Sequence, residues 1–191
     1  MYDYIVIGGG IIGVSTALSL ITKQPDKRIL LVEKEKTFAQ HQTGHNSGVI
    51  HAGVYYQPGS LKAKFCREGL KETINFCSLH QIPYQQCGKL LIATNDIELN
   101  RMNELYERCK ANEIEVEILD QNQLSEIEPN VQGIGALLVK STGIVNYKLI
   151  TNKMSEQYEA MGGNYLLDTE IVNLKEYEDK IKIITKNETF N

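Results

Sequence analysis

The 191-residue sequence lacks several features that would assign a function directly. Its four cysteines form no C-x-x-C pair and no metal-ligand spacing, so we expect no metal site. Scattered thiols of this kind fit a reducing cytosol, and we therefore expect a cytoplasmic protein. With 20 basic and 24 acidic residues, the net charge of −4 provides no basic surface. The composition thus argues against nucleic acid as a partner.

A hydrophobic run long enough to cross a membrane is also missing. Residues 4–21 carry no charge, but the run contains four glycines and is preceded by Asp3 rather than by a basic segment. These features argue against a transmembrane segment and against a signal peptide, although a peripheral contact with a membrane stays open. A hydrophobic content of 42% with 23% charged residues is ordinary for a soluble globular protein.

The first 33 residues do contain a strand–helix–strand pattern. Tyr4–Ile7 is a short apolar, β-branched run that stops at a glycine, which predicts a buried parallel strand. A helix is predicted over residues 11–23 and a second apolar strand over residues 28–33. Together these elements predict one βαβ unit of an α/β protein.

Three glycines after the first strand form a G-x-G-x-x-G motif with a known mechanical basis. Gly8 allows the tight turn, Gly10 lets a pyrophosphate approach the backbone, and Gly13 lets helix and strand pack closely. Free N–H groups at the helix N-terminus favour the negative phosphates. Glu33 ends the second strand, where a carboxylate accepts hydrogen bonds from a ribose. The alternative is a glycine-rich turn in an unrelated α/β protein.

Residues 37–56 form a polar segment with several glycines, at the place where a simple nucleotide domain would continue with another helix. It contains three of the four histidines. Long irregular segments inside compact domains are usually functional, and small residues let the backbone approach a flat ligand. The alternative is an ordinary surface loop. The small residues in question are Thr43, Gly44, Ser47, Gly48 and Gly53.

The remaining sequence predicts a nucleotide domain interrupted by a second one. We assign residues 1–82 and 143–191 to the nucleotide domain and residues 83–142 to an inserted segment. Helices are predicted to begin after caps at Ser60, Asp96 and Asn146, and a brief helix is predicted to start at Asp120. A hairpin is predicted near the end of the chain, over residues 170–185.

Several stretches together resemble a known family. The motif from Ile5 to Ala17 resembles the D-amino-acid-oxidase-like superfamily of FAD-dependent oxidoreductases. The stretch from His41 to Gly69 is more specific and is similar to the L-2-hydroxyglutarate oxidase/dehydrogenase family, which is related to the glycerol-3-phosphate dehydrogenase flavoproteins. Gly88–Thr94, Leu124–Pro129 and Thr142–Tyr147 also fit. The resemblance covers nearly the whole chain, whereas members of that family are about twice as long.

The resemblance implies a Rossmann-like FAD-binding domain with an inserted α+β segment of a substrate domain, incomplete at the C-terminus. It also implies which residues contact FAD. Those at the pyrophosphate are Gly8, Gly10, Ile12 and Gly13. Glu33 would hold the adenosine ribose, Lys34 would lie beside the ribose or adenine, and Val172 would give main-chain contacts to adenine. Those lining the flavin side are Thr43, Asn46, Ser47 and Gly48.

The activity implied is oxidation of a 2-hydroxy acid, and above all of L-2-hydroxyglutarate to 2-oxoglutarate. His51 would sit near the flavin and manage the hydroxyl proton, since an imidazole has an ordinary pKa of about 6.5; the alternative is a core histidine bonded to backbone. Electrons would pass to oxygen or a quinone. Glycerol-3-phosphate or amino-acid oxidation, or a non-catalytic nucleotide-binding fragment, remain alternatives. The isolated chain is expected to be inactive.

Overall fold

The computed structural model describes residues 1–186 and 188–190 and contains both helices and strands. The helices are α1 (Ile11–Lys23), α2 (Leu61–Leu79), α3 (Asp96–Ala111), α4 (Gln121–Ile127) and α5 (Tyr147–Ala160). The strands are β1 (Tyr4–Ile7), β2 (Ile29–Val32), β3 (Val49–Ile50), β4 (Tyr84–Gln85), β5 (Leu90–Ala93), β6 (Glu117–Asp120), β7 (Gly135–Leu138), β8 (Gly143–Val145), β9 (Asn164–Leu166), β10 (Ile171–Glu176), β11 (Ile181–Thr185) and β12 (Thr189–Phe190).

The chain forms two compact units. The first consists of Met1–Ser47 and Asn146–Asn191, and the second of Gly48–Val145. The predicted segments divide the chain elsewhere, at residues 83 and 142. The difference arises because β3 pairs with β8 and because Ala52 and Val54 pack against Val139. Residues 48–82 therefore belong with the segment predicted to be inserted, not with the nucleotide-binding segment.

The first unit is built on a parallel sheet with strand order β1-β2-β9. All four residues of the central strand β2 are buried, as expected for a parallel strand covered on both faces. Helix α1 buries Val14, Ala17 and Ile21 in a core that also contains Tyr158 of α5. The observed β1 and α1 match the predicted ranges residue for residue, which confirms the predicted βαβ unit.

The C-terminal part of the first unit contains the predicted hairpin. Strand β10 pairs antiparallel with β11, and β12 continues this second sheet. The pairing register shifts between Ile171 and Asn173, so that Val172 is the bulged residue of β10. Its side chain is 52% exposed.

The second unit contains two small antiparallel sheets with strand orders β3-β8-β4 and β5-β7-β6. Helix α2 is capped by Ser60 as predicted, and Asp120 forms a capping box at α4. Helix α3 differs slightly from the prediction, because Asn95 rather than Asp96 accepts the hydrogen bond of the first turn. Within the described part of the chain, no helix has the length and apolar character needed to cross a bilayer.

Candidate functional site

A tight glycine turn joins β1 to α1 in the first unit. Gly8 has φ +106°, a conformation that favours glycine, and its N–H donates to the Val32 carbonyl at 2.8 Å. A Cβ at Gly13 would overlap the Gly8 carbonyl oxygen, which fixes the close contact between turn and helix. Helix α1 then begins at Ile11 with no acidic residue in its first turn. Its N-terminal N–H groups can therefore receive an anion such as a pyrophosphate.

Glu33 lies at the carboxyl end of β2 and is buried, with 7% of its surface exposed. Its Oε2 accepts from the Gly9 N–H at 2.5 Å, and its Oε1 accepts from the Glu35 N–H at 2.9 Å. A carboxylate offers about four lone-pair sites, so these bonds leave acceptor capacity for the hydroxyls of a ribose. The predicted juxtaposition of this carboxylate with the glycine turn is therefore present.

Gly9 is a site residue that the sequence motif left unassigned, because it occupies a variable position of G-x-G-x-x-G. A Cβ there would overlap the ring of Phe38 and lie 2.9 Å from Glu33 Oε2. The Gly9 carbonyl also accepts from the Ala39 N–H at 3.0 Å. The sequence signal that could have identified Gly9 is the run of three consecutive glycines, of which Gly9 is the middle one.

Thr43 comes from the polar segment and lies at the N-terminus of α1. Its Oγ1 accepts from the Ile11 N–H at 3.0 Å and would lie 3.2 Å from a Cβ at Gly10. Asn46 folds the same segment back on itself, since its Nδ2 donates to the carbonyls of Gln42 and Thr43 at 3.1 and 2.9 Å. Ser47 is exposed. The predicted loop thus does reach the glycine turn, at Thr43.

Lys34 points to a carboxylate next to it in sequence. Its Nζ lies 2.6 Å from Glu35 Oε1, which also contacts His41 Nε2 at 2.9 Å. Hydrogen bonds from Lys34 first, and then from His41, lower the pKa of Glu35, and the bond to Glu35 raises the pKa of Lys34. The Lys34 side chain is 51% exposed and that of Glu35 is 36% exposed. This charged group is therefore accessible to solvent beside Glu33 and is not part of the core.

In the second unit, Gly48 and His51 flank the short strand β3. Gly48 has φ +68°, and its carbonyl accepts from the Val145 N–H at 2.8 Å. His51 is exposed, which does not fit the alternative of a core histidine bonded to backbone. Its own carbonyl accepts from Cys66 Sγ at 3.2 Å, which ties the backbone to α2. His51 also lines a cavity of about 160 Å³.

Comparison with known proteins places this geometry in a family. The family described as FAD dependent oxidoreductase (DAO) matches residues 3–190. The chain belongs to this family. It is 51% identical over 186 residues to an L-2-hydroxyglutarate dehydrogenase of Escherichia coli strain K12, an alignment that covers 97% of this chain and 44% of that protein. A mitochondrial L-2-hydroxyglutarate dehydrogenase of Mus musculus is 44% identical, over 88% of this chain and 37% of that protein.

Solved structures of DAO-type oxidoreductases share the fold. An L-α-glycerophosphate oxidase from Mycoplasma pneumoniae, solved with FAD bound, has a TM-score of 0.88 and 28% identity, covering 98% of this chain and 50% of that chain. A glycine oxidase from Geobacillus kaustophilus has a TM-score of 0.88 at 18% identity, which shows the fold alone. This DAO chain therefore spans about half the length of the relatives it matches, and the cofactor of its family is FAD.

Proposed function

We propose that this DAO-family chain forms the FAD-cradling part of a cytoplasmic enzyme that oxidises L-2-hydroxyglutarate to 2-oxoglutarate. The observation that supports the substrate best is the 51% identity to the Escherichia coli L-2-hydroxyglutarate dehydrogenase along nearly the whole chain. The glycine turn with its buried carboxylate supports the cofactor. The sequence identity bears on the reaction, whereas the glycine turn bears only on the dinucleotide.

The pyrophosphate of FAD would lie against the glycine turn. Gly8 and Gly10 have no side chains that would cover the backbone, and Gly13 allows α1 to lie close to the turn. Ile12 provides a backbone N–H in the first turn of α1. A side chain at any of these glycines would narrow the approach or strain the turn. The Ile12 side chain is 77% exposed and does not block the helix N-terminus.

The adenosine would lie over the carboxyl ends of β2 and β9. Glu33 has spare acceptor capacity for the ribose hydroxyls and repels a 2′-phosphate by its charge. Lys34 would lie at the rim of the ribose or adenine, with Glu35 holding its ammonium. Val172 would offer main-chain groups to adenine, since a bulged residue is not engaged in the ladder as its neighbours are.

The flavin end would be guided by the polar segment. Thr43 is already fixed to the first amide of α1, and Asn46 stiffens the turn that follows it. We assign Thr43, Asn46, Ser47 and Gly48 to the flavin side of FAD. Gly48 is suited to a close approach of the flavin because it has no side chain and adopts its positive φ without strain.

Bound FAD supplies a hydride acceptor for the carbinol carbon of the substrate. In this chain, His51 would receive the hydroxyl proton at its imidazole and orient the hydroxyl group. Its exposed ring and its fixed backbone carbonyl suit a group that meets substrate. Electrons would leave to oxygen or to a quinone, and the second acceptor would bring the enzyme into peripheral contact with a membrane.

A second candidate substrate is glycerol-3-phosphate, which the likeness to the Mycoplasma pneumoniae glycerophosphate oxidase favours. To test both, the chain would be co-produced with a polypeptide covering the rest of the Escherichia coli relative, and FAD bleaching would be followed without oxygen. We expect bleaching with L-2-hydroxyglutarate and none with its D-enantiomer, glycerol-3-phosphate or glycine. Bleaching by glycerol-3-phosphate or glycine alone would overturn the proposal, and a stable assembly without FAD would favour a non-catalytic nucleotide-binding fragment.

A further inference from the structure

The cavity beside His51 is lined by a lysine, Lys89, to which no role has been assigned. Its lining includes His51, Gly53, Tyr55, Tyr56, Lys89 and Thr142, all within the second unit. Lys89 is half-buried. Its Nζ lies 5.1 Å from the centroid of the Tyr55 ring, over the ring face. One side of the cavity therefore carries a positive charge that lies over an aromatic ring.

Lys89 differs from many lysines of this chain in its partners. Lys34, Lys140 and Lys186 each lie within 4 Å of a carboxylate. Over residues 1–186 and 188–190, no ion pair involves Lys89. A lysine that lines a cavity and has no carboxylate beside it can attract an anion into that cavity.

The backbone around Lys89 is held rigidly, so that the ammonium starts from a fixed base. Lys89 and Val139 exchange hydrogen bonds, from the Lys89 N–H at 3.2 Å and to the Lys89 carbonyl at 2.9 Å. The Gly88 N–H donates to the carbonyl of buried Thr142 at 2.9 Å. A cation whose backbone is held by such hydrogen bonds loses less conformational freedom on binding than one whose backbone is free to move.

The opposite wall is fixed as well. The Tyr56 N–H donates to the Gly53 carbonyl at 3.1 Å and closes the turn. Asn112 Nδ2 then donates to the Tyr56 carbonyl at 2.8 Å. The turn that carries Tyr55 and Tyr56 is therefore anchored at the C-terminal end of α3, which holds this wall of the cavity in place.

We propose that Lys89 is a carboxylate-binding residue of the substrate site, which selects a hydroxy acid carboxylate in the cavity that His51 lines. This proposal rests on the proposed function and adds to it the residue that holds the anion. A dicarboxylate substrate requires cations at its ends, and Lys89 supplies one of them from this chain. An ammonium binds a carboxylate as a point charge with three donors.

The test uses glutarate as a probe, because it has both carboxylates of the substrate but cannot be oxidised at a carbinol carbon. Isotope-labelled chain would be titrated with glutarate and followed by NMR. We expect saturable shifts at Lys89, Tyr55 and His51. Lys89→Met should weaken glutarate binding about tenfold or more, since one charged hydrogen-bonded contact is lost, and Lys89→Arg should retain most of it.

The matched control is Lys71→Met, which removes an exposed lysine of α2 in the same unit. It should bind glutarate as the parent chain does. Equal binding by Lys89→Met and the parent, equal losses in Lys89→Met and Lys71→Met, or no saturable shift at all would each overturn the proposal. Glutarate binding through Lys89 in a protein whose FAD is not bleached by L-2-hydroxyglutarate would instead refute the proposed function and leave the anion subsite standing.

Discussion

The Gly9 N–H donates to Glu33 Oε2 across 2.5 Å, and the space where a Gly9 side chain would lie is filled by Glu33 and Phe38. The carboxylate that is proposed to hold the ribose is thus held by the turn that is proposed to hold the pyrophosphate. Two parts of one dinucleotide site are fixed to each other before any ligand binds. Such preorganisation reduces the conformational freedom lost on binding.

Gly13→Ala should destabilise the protein, because the new Cβ would overlap the Gly8 carbonyl oxygen. Overpacking against backbone costs about 1–3 kcal/mol, which lowers the melting temperature by several degrees. Thermal denaturation followed by circular dichroism measures the shift. The control is Gly69→Ala in α2, where a Cβ meets open space; it should stabilise by up to about 1 kcal/mol. Equal melting temperatures for the two variants would contradict the close packing of turn and helix.

Tyr158 links α5 to the central strand of the first unit. Its ring is fully buried, and its hydroxyl donates to the Ile29 carbonyl at 2.8 Å and lies 3.0 Å from the Asn164 carbonyl. Burial raises the pKa of Tyr158 to about 12. The folded state therefore keeps a proton that the unfolded state releases above about pH 10, and the stability contributed falls as pH rises from about 10 to about 12.

Tyr158→Phe should lower the free energy of unfolding by about 1 kcal/mol at neutral pH, because the Ile29 carbonyl loses its side-chain donor. The free energy of unfolding of the variant should also fall less between about pH 10 and about 12 than that of the parent, because the variant has no Tyr158 hydroxyl to ionise. Urea denaturation at neutral and alkaline pH measures both effects. An identical pH dependence in parent and variant would show that this tyrosine titrates normally.

His51→Asn should slow flavin reduction by L-2-hydroxyglutarate by about 10²-fold or more in the assembled enzyme, if the imidazole receives the hydroxyl proton. The FAD content should not change, because His51 lies outside the proposed pyrophosphate and ribose contacts. Rapid-mixing absorbance without oxygen measures the rate. His45→Asn is the control, since His45 is an exposed loop histidine that bonds the His41 carbonyl. Unchanged kinetics with FAD bound would remove His51 from the mechanism.

The isolated chain should associate at high concentration and turn over no substrate. Tyr4, Ile7, Leu174 and Ile181 are exposed apolar residues around one cavity of about 440 Å³, beside the edge strand β1. Open strand edges and apolar patches favour association. The double substitution of Leu174→Lys and Ile181→Lys should shift the protein toward monomer in sedimentation velocity. A parent chain that is monomeric at all concentrations would contradict this expectation.

Many of the helices and strands could be predicted because their signals are local. The apolar run of β1, the helical pattern of α1 and the caps at Ser60 and Asn146 each depend on a few neighbouring residues. The N-cap of α3 was misassigned by one residue because Asn95 and Asp96 are adjacent and both suit a cap.

The rest depends on contacts between residues far apart in sequence. Strands β3 and β4 have two residues each, too short for a periodic pattern, and they exist because β8 pairs with both. The boundary at residue 47 follows from that pairing. Gly9 and the cavity beside Lys89 were not predicted for the same reason, since each depends on the side chains that surround it.

Glu33 and the glycine turn are proposed to form the adenosine-diphosphate half of an FAD site. Calorimetric titration of the chain with FAD and with FMN, which lacks the adenosine, tests this assignment directly. We expect FAD to bind about tenfold or more tightly than FMN. Glu33→Gln should abolish most of that difference while leaving FMN binding unchanged, and Glu159→Gln, an exposed control on α5, should keep it. Equal affinities for FAD and FMN in the parent chain, or a preference for FAD that is unchanged in Glu33→Gln, would contradict this assignment.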